Sequence, residues 1–238
     1  MEIPEVLAPE VIAPEVIAHR GDPVACVENT WPAIERAVID GANIVEVDIK
    51  ETFDGQVVLL HDATCERIFG LDKPIASLRW SQVRELRAPD GSGIPLLSEV
   101  LRALAGRAQL LIDMTQADLA RAAVPVVREA KTSAAWCGDH AALAAVRDEL
   151  PDAEIYLTMP DERLPSQELV DRIAPAHVNP NWQVITPDYA AAVAAMGVGL
   201  STWTVDEAEA ARALVALGVR RVISNHASAI RRALAEQR

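Results

Sequence analysis

Short apolar segments alternate with amphipathic segments along most of the chain. Apolar runs of four to eight residues are typical of buried strands, and apolar residues with a period of about 3.6 are typical of helices. Eight strands are predicted, at Val16–Ala18, Ile44–Ile49, Gln109–Met114, Ala134–Cys137, Ile155–Met159, His177–Asn179, Leu200–Val205 and Val219–Ser224. Helices are predicted between them, and this alternation is typical of a parallel sheet.

Several of the predicted helices have recognisable first residues. Thr186, which precedes a proline, and Asp139 are each expected to cap the N-terminus of a helix. Asp206 and Glu209 have the spacing of a capping box. These signals divide the second half of the chain into regular strand–helix units.

Eight such units without a break in composition favour a closed (β/α)8 TIM barrel over an open sheet. Residues 15–238 are predicted to form this single domain, and residues 1–14, a proline-containing repeat of five residues, an extended leader. The segment Asp62–Ser98 is predicted to be an insertion after the second strand, with too few apolar residues for an independent core. Val57–Leu60, after the turn signal Asp54-Gly55, is predicted to add an extra strand.

Composition narrows the class of protein further. Half of the residues are hydrophobic but only 4% are aromatic, which suits an aliphatic core around parallel strands. The 22 basic and 35 acidic residues give a formal charge of −13, which disfavours a nucleic-acid partner. The oligomeric state is left open.

The chain has neither a signal-peptide pattern nor an apolar run long enough to span a membrane, and we expect a cytoplasmic protein without a transmembrane segment. The three scattered cysteines, Cys26, Cys65 and Cys137, are expected to be free thiols in a reducing compartment.

Two carboxylates interrupt the second predicted strand. Glu46 and Asp48 are two residues apart and therefore point to the same side of the strand, while apolar residues alternate on the other side. Two buried acids would repel each other and would lose hydration, and a bound cation resolves both costs. Oxygen ligands indicate one Mg²⁺ or Ca²⁺ ion rather than zinc. The alternative is an ordinary solvated strand end.

Two histidines follow predicted strands. His19 and Arg20 come directly after the first strand, and His61 follows the extra strand. The C-terminal ends of barrel strands carry the active site in this class of fold. Together the histidines form a candidate acid/base pair, although His19-Arg20-Gly21 alone is equally typical of a solvated loop and His61 alone is more often a structural histidine than a catalyst.

The motifs around these residues resemble those of the glycerophosphodiester phosphodiesterases. The matching positions, in order, are His19-Arg20-Gly21, Glu28-Asn29-Thr30, Ala37, Gly41-Ala42, Glu46-Val47-Asp48, Thr52, Asp54-Gly55, His61-Asp62, Pro95–Leu101 and Thr202–Val205. The resemblance implies a barrel that hydrolyses glycerophosphodiesters, its small-molecule substrates, to glycerol 3-phosphate and an alcohol. It also implies a role for each matching residue: His19 and His61 as acid and base, Arg20 as phosphate ligand, Glu46 and Asp48 as metal ligands, Glu28 and Asn29 as residues that shape the site, and Trp203 as an aromatic that packs on the substrate.

The chain departs from the family pattern on two strands. The family usually has a glutamate and, two residues later, a lysine on its third strand, where this chain has Asp113 and Thr115. We expect Asp113 to serve as a metal ligand and Thr115 to face the phosphate without supplying a charge. The last strand ends in Ser224-Asn225, where relatives commonly have Thr-Asp.

Lys50, Lys73 and Arg67 are candidates to supply the missing positive charge. Two other functions remain open. One is a barrel that binds a phosphodiester or metal without turning it over, which the loss of the lysine favours. The other is a phosphodiester lyase similar to the sphingomyelinases D, which share the barrel and the two histidines.

Overall fold

Eight parallel strands close into a barrel in the computed structural model, which describes residues 14–236. The described strands are β1 (Glu15–His19), β2 (Ile44–Glu51), β3 (Val57–Leu59), β4 (Thr64–Cys65), β5 (Leu71–Pro74), β6 (Gln109–Met114), β7 (Ala134–Gly138), β8 (Glu154–Met159), β9 (His177–Pro180), β10 (Gly199–Thr202) and β11 (Arg221–Ser224). The described α-helices are α1 (Trp31–Ile39), α2 (Glu66–Phe69), α3 (Trp80–Val83), α4 (Leu97–Leu104), α5 (Ala117–Ala130), α6 (His140–Glu149), α7 (Gln167–Ile173), α8 (Pro187–Ala195), α9 (Ala208–Ala216) and α10 (Ala227–Ala235).

The barrel closes where β1 pairs with strands from both ends of the sheet. On one side Ala18 is in register with Ser224 of β11, and on the other His19 is in register with Glu46 of β2. The remaining barrel strands follow in the order β11, β10, β9, β8, β7, β6 and β2. The predicted TIM barrel is therefore confirmed, whereas residues 1–13 of the predicted leader lie outside the described residues.

Successive side chains of each strand point to opposite faces of the barrel wall, and this creates two hydrophobic layers. Val45, Val47 and Ile49 of β2 point outward into the main core between strands and helices. A second cluster fills the inside of the barrel, formed by Ile17, Ile44, Leu111, Ala135, Cys137, Tyr156 and Ile223. The inside of the barrel is therefore a packed core rather than an open pore.

The predicted insertion follows a hairpin. β3 pairs antiparallel with β2 after a turn at Gly55, as the sequence predicted. The insertion then holds β4, β5, α2, α3 and a 3-10 turn at Ile75–Ser77. It buries a small hydrophobic cluster together with Val58 of β3 and Leu60, so the apolar residues of the insertion share their core with the hairpin rather than forming an independent one. The insertion is thus anchored to the barrel through β3.

Three predicted strand ends were wrong by two residues or more, and one predicted cap was wrong. β2 ends at Glu51 rather than Ile49, β10 ends at Thr202 rather than Val205, and β11 begins at Arg221 rather than Val219. Asp206 does not cap α9, because its carboxylate accepts hydrogen bonds from Ser224 and Asn225 instead. The predicted caps of α6 and α8, from Asp139 and Thr186, are confirmed.

All three cysteines are free thiols, and Cys65 and Cys137 are buried. No helix between residues 14 and 236 is both long enough and apolar enough to cross a membrane.

His177, at the start of β9, makes the stability of the fold sensitive to acid. Its ring stacks on Tyr156 with centroids 4.6 Å apart. Burial, reinforced by Arg221, lowers the pKa of His177 to about 4. The unfolded chain, with an imidazole pKa near 6.5, therefore binds more protons than the folded chain between about pH 4 and 6.5, so stability falls as the pH falls through this window.

We expect His177→Phe, which keeps a ring in the stack, to remove up to about 3 kcal/mol of this acid-induced loss. Urea unfolding of wild type and variant at pH 7 and pH 4.5 measures the difference, and other titrating groups cancel in the comparison. His226→Phe, at an exposed position, is the control. Parallel stability curves for wild type and His177→Phe would contradict the prediction.

Candidate active site

A cavity of about 370 Å³ opens at the C-terminal ends of the barrel strands. Eight of the ten predicted site residues line it: His19, Arg20, Glu46, Asp48, His61, Asp113, Thr115 and Trp203. The other two, Glu28 and Asn29, contact Arg20 and Asp48 from behind. One cavity thus gathers residues that the sequence placed on five separate segments.

Three carboxylates form the floor of the cavity. Asp48 of β2 is in register with Asp113 of β6, and Glu46 lies two residues before Asp48 on the same face. One oxygen from each carboxylate lies within 4.8 Å of the other two. Burial, followed by repulsion from Asp48 and Asp113, raises the pKa of Glu46 well above its usual value. Burial and the charge of Asp48 raise the pKa of Asp113 to about 6.

This cluster fits a divalent cation. Oxygen ligands at about 2.1 to 2.5 Å from one Mg²⁺ or Ca²⁺ ion lie at most about 5 Å from each other, in agreement with the observed spacing. The raised pKa values express a mutual repulsion that a bound cation would relieve. Within residues 14–236 this is the one group of three or more potential protein ligands with such spacing.

A strained loop after β1 holds the carboxylates in place. Arg20 and Asn29 both have left-handed backbone conformations, with φ of 56° and 55°, and the Asn29 amide donates to the Arg20 carbonyl. The Arg20 amide donates to Glu46 Oε2 at 3.0 Å, and Asn29 Nδ2 donates to Asp48 Oδ2 at 2.7 Å. Such strain, of about 1 to 3 kcal/mol per residue, persists where surrounding contacts fix the backbone.

His19 is held by an amide rather than by a carboxylate. Its Nδ1 lies 2.7 Å from Asn225 Oδ1, and Asn225 Nδ2 donates to Asp206 Oδ2 at 2.8 Å. Because Asp206 fixes the orientation of the amide, Asn225 presents its oxygen, and the proton of His19 lies on Nδ1. Burial, followed by the charge of Arg20, lowers the pKa of His19. His19 is therefore neutral at neutral pH, with the unprotonated Nε2 3.8 Å from Glu46.

His61 stands on the opposite, more open side. The Leu60 amide donates to the Asp48 carbonyl, which keeps the end of β3 at the rim of the barrel. His61 Nδ1 lies 2.7 Å from Asp62 Oδ1, so Nε2 is the nitrogen available to a ligand. The side chain of His61 is 45% exposed, compared with 17% for His19. The two imidazoles thus differ in their partners and in their access to solvent.

The remaining wall of the cavity carries one charged side chain, Asp139, whose carboxylate caps α6, and is otherwise uncharged. Trp203 Nε1 donates to the Asn179 carbonyl at 3.1 Å, which fixes the indole against the inner cluster. Thr115 is exposed at the rim, two residues beyond Asp113. Of the three cations considered as replacements for the missing lysine, Arg67 is bound by Glu28 and Asp62, Lys50 is half-buried beyond Asp48, and Lys73 is exposed on β5.

Gly138 gives the Asp113 carboxylate its space. At φ 113°, a Cβ on this residue would lie 2.7 Å from Asp113 Oδ1 and 2.1 Å from the Met114 carbonyl oxygen. We expect Gly138→Ala to displace Asp113 and to weaken Mg²⁺ binding at least tenfold, as measured by isothermal titration. Gly106→Ala, at φ 75° with nothing within 4 Å of the added Cβ, shares the backbone strain of about 1 kcal/mol and is the control. Equal Mg²⁺ affinity in both variants would contradict the prediction.

Sequence analysis missed three contributors to the site. Asn225 was noted only as a departure, Asp206 was taken for a helix cap, and Gly138 carried no motif. Their contacts join residues 18 to 206 positions apart, so no local pattern contains them. A polar residue at the end of a predicted barrel strand, as at Asn225, is the one available signal.

Comparisons with known proteins agree with this geometry. The model of the glycerophosphoryl diester phosphodiesterase family matches residues 19–229. The chain is 26% identical to a glycerophosphodiester phosphodiesterase of Caldanaerobacter subterraneus, over 87% of this chain and 92% of that protein. The segment most similar to human glycerophosphodiester phosphodiesterase 1 is 42% identical over 69 residues, 29% of this chain and 21% of that protein.

Solved structures share the fold. A phosphodiesterase of Oleispira antarctica in complex with its product sn-glycerol-3-phosphate superposes with a TM-score of 0.87 at 20% identity, over 94% of this chain and 97% of that chain. A glycerophosphodiester phosphodiesterase of Thermotoga maritima gives 0.77 at 24% identity, over 91% and 96%. With the family model matching nearly the whole barrel, the chain belongs to the glycerophosphoryl diester phosphodiesterase family and is a phosphoric diester hydrolase.

Proposed function

We propose that the protein hydrolyses glycerophosphodiesters to glycerol 3-phosphate and an alcohol by two-histidine acid/base catalysis that depends on one divalent cation. The observation that carries the proposal is the buried carboxylate cluster with two differently held imidazoles at the same cavity. The glycerol 3-phosphate found as product in the Oleispira relative supports the choice of substrate class.

Glu46, Asp48 and Asp113 would hold the cation, which as a Lewis acid would stabilise negative charge on the phosphate oxygens. Arg20 would add a second positive charge beside the phosphate, since its guanidinium lines the same cavity. Asp48 Oδ2, 3.1 Å from Arg20 Nε, and Glu28, 2.9 Å from Arg20 Nη1, orient that guanidinium. These charges face the region where negative charge grows in the transition state.

The two histidines are suited to opposite proton transfers. His19 is neutral, with a lone pair on Nε2, and therefore accepts the proton of the attacking oxygen. His61, at the exposed side of the cavity, acts as the acid in its doubly protonated form: Nδ1–H stays hydrogen-bonded to Asp62, the Nε2 proton passes to the leaving alkoxide, which departs toward solvent, and solvent restores that proton before the next turnover. Trp203 forms an apolar wall for the substrate opposite these groups.

The proposal also places the protein in the cytoplasm, supported by its three free thiols.

A coupled assay for glycerol 3-phosphate, run on a panel of glycerophosphodiesters, tests the proposal. We expect release from at least one substrate, loss of activity in EDTA, and recovery on addition of Mg²⁺ or Ca²⁺. Binding of Mg²⁺ and substrate without release would instead identify a barrel that binds but does not turn over. Release of a cyclic phosphate as the final product, detected by ³¹P NMR, would identify a lyase.

A further inference from the structure

Arg67 of α2 connects the insertion to the active site. Its guanidinium binds Glu28 through two nitrogens, Nη2 to Oε1 at 2.6 Å and Nη1 to Oε2 at 3.2 Å. Its Nε donates to Asp62 Oδ2 at 2.5 Å. One side chain thus uses all three of its nitrogens on two carboxylates that lie 34 positions apart in the sequence.

Each of these carboxylates has a second partner inside the cavity. Glu28 Oε1 also accepts from Arg20 Nη1 at 2.9 Å, and Asp62 Oδ1 lies 2.7 Å from His61 Nδ1. The contacts form one continuous chain, which we call the Arg67 network: His61, Asp62, Arg67, Glu28 and Arg20. Its two ends are the exposed imidazole and the guanidinium that line the cavity.

Two features distinguish the Arg67 network from an ordinary surface ion pair, which contributes little to the stability of a protein. The side chains of Glu28 and Asp62 are only 16% and 24% exposed. The contact with Glu28 is bidentate, which fixes direction as well as distance. Hydrogen bonding by Arg67, opposed by burial, lowers the pKa of Asp62 to about 2, so this carboxylate stays ionised as an acceptor for His61.

Neither Asp62 nor Glu28 belongs to a helix or strand that would fix the position of its carboxylate. Asp62 follows β3 in a segment without regular structure, and Glu28 lies in the loop before α1. The described hydrogen bonds of the Asp62 carboxylate go to His61 and Arg67 alone, and those of Glu28 go to Arg20 and Arg67. Without Arg67, neither carboxylate keeps a contact that fixes it relative to the other.

We propose that Arg67 is a positioning residue that orients His61 through Asp62 and Arg20 through Glu28. The inference rests on the proposed function, in which these two groups act on the phosphodiester. It makes the insertion an integral part of the site. It also explains how the residue acts although it does not line the cavity itself.

Arg67→Met removes the positive charge and the bidentate hydrogen bonds of the guanidinium while keeping a long side chain. Arg67→Lys keeps the positive charge but not the bidentate hydrogen bonds. Arg79→Met is the matched control, because Arg79 lies in the same insertion, is exposed, and stacks over Phe53 rather than contacting the site. We expect Arg67→Met to lower kcat by about 10- to 100-fold, as small displacements of catalytic groups do. Arg67→Lys should recover part of this loss, and Arg79→Met should match wild type.

Coupling to His61 distinguishes positioning from a general structural role. In a His61→Ala background, Arg67→Met should lower kcat by a clearly smaller factor than in the wild type, because one of the two groups that it orients is gone and only the effect through Glu28 on Arg20 remains. Full, multiplicative losses in the double variant would overturn the proposal. Arg67→Lys provides the same comparison if Arg67→Met does not fold.

A measurement that does not depend on catalytic turnover tests this inference independently of the proposed function. The ¹⁵N resonances of the His61 ring, assigned by their loss in His61→Ala, report on the hydrogen bond at Nδ1. We expect them to shift in Arg67→Met and to stay unchanged in Arg79→Met, whether or not the protein hydrolyses the tested substrates. An unchanged His61 ring in Arg67→Met would overturn the inference even if the protein is an active hydrolase.

Discussion

Replacing His19 with alanine is expected to lower kcat for glycerophosphodiester hydrolysis by about 10²- to 10⁴-fold. His19 presents an unprotonated Nε2 to the cavity because Asn225 Oδ1 accepts a hydrogen bond from Nδ1–H and burial lowers the pKa of the ring. The other imidazole that lines the cavity, His61, is bound at Nδ1 by the carboxylate of Asp62 rather than by an amide oxygen. The coupled glycerol 3-phosphate assay, at saturating Mg²⁺, measures the loss.

His226→Ala is the control for this change, because His226 is the next residue after Asn225 but is exposed. Mg²⁺ affinity of the His19→Ala protein, measured by titration calorimetry, should stay within a fewfold of wild type, since the three carboxylates remain. Turnover within tenfold of wild type would show that another group accepts the proton.

Asp113→Asn is expected to stabilise the metal-free protein and to abolish its stabilisation by Mg²⁺. The pKa of Asp113 is about 6 in the folded chain, above the value of 3.8 for an unperturbed group. The folded state therefore binds more protons between about pH 3.8 and 6, stability falls as the pH rises through that window, and the full penalty persists above it. An uncharged amide removes this penalty, which amounts to at most about 3 kcal/mol.

Urea unfolding at pH 7.5 in EDTA measures the gain in stability, and the same titration in Mg²⁺ measures the lost response. Asp139→Asn, which changes a carboxylate at the helix cap of α6 on the same rim, is the control. A variant that is less stable than wild type in EDTA would mean that the carboxylates do not repel each other in the folded chain.

Much of the fold could be predicted because the period of the apolar residues and the length of each apolar run identify barrel strands from the local sequence. The pattern of β2, with Glu46 and Asp48 on one face and valines on the other, predicted both the hydrophobic layer and the carboxylate pair. The strand ends at Thr202 and Arg221 were missed because pairing, rather than composition, decides them. The apolar residues after Thr202 continue the pattern but leave the ladder, since the Val205 amide donates to the Ile223 carbonyl outside it.

The site residues that belong to local sequence motifs could be predicted, whereas those whose contacts form only when the barrel closes could not. The histidines and the acids of β2 belong to short motifs with fixed spacing. The local sequence around Asp206 is typical of a helix cap. The carboxylate instead binds Asn225, and this contact depends on the position of β11 in the folded barrel. Arg67 was one of three candidate cations in the sequence, and its role depends on a contact with Glu28, 39 positions away.

The hydrogen bond between His19 and Asn225 spans 206 positions and lies where the first and last strands of the barrel meet. During synthesis, His19 therefore leaves the ribosome 206 residues before its orienting partner. A premature stop between Asp113 and β11 would yield a chain with both histidines and the three clustered carboxylates, yet without the strand that pairs with β1 and without Asn225. Ring closure and the maturation of the catalyst are thus the same folding event.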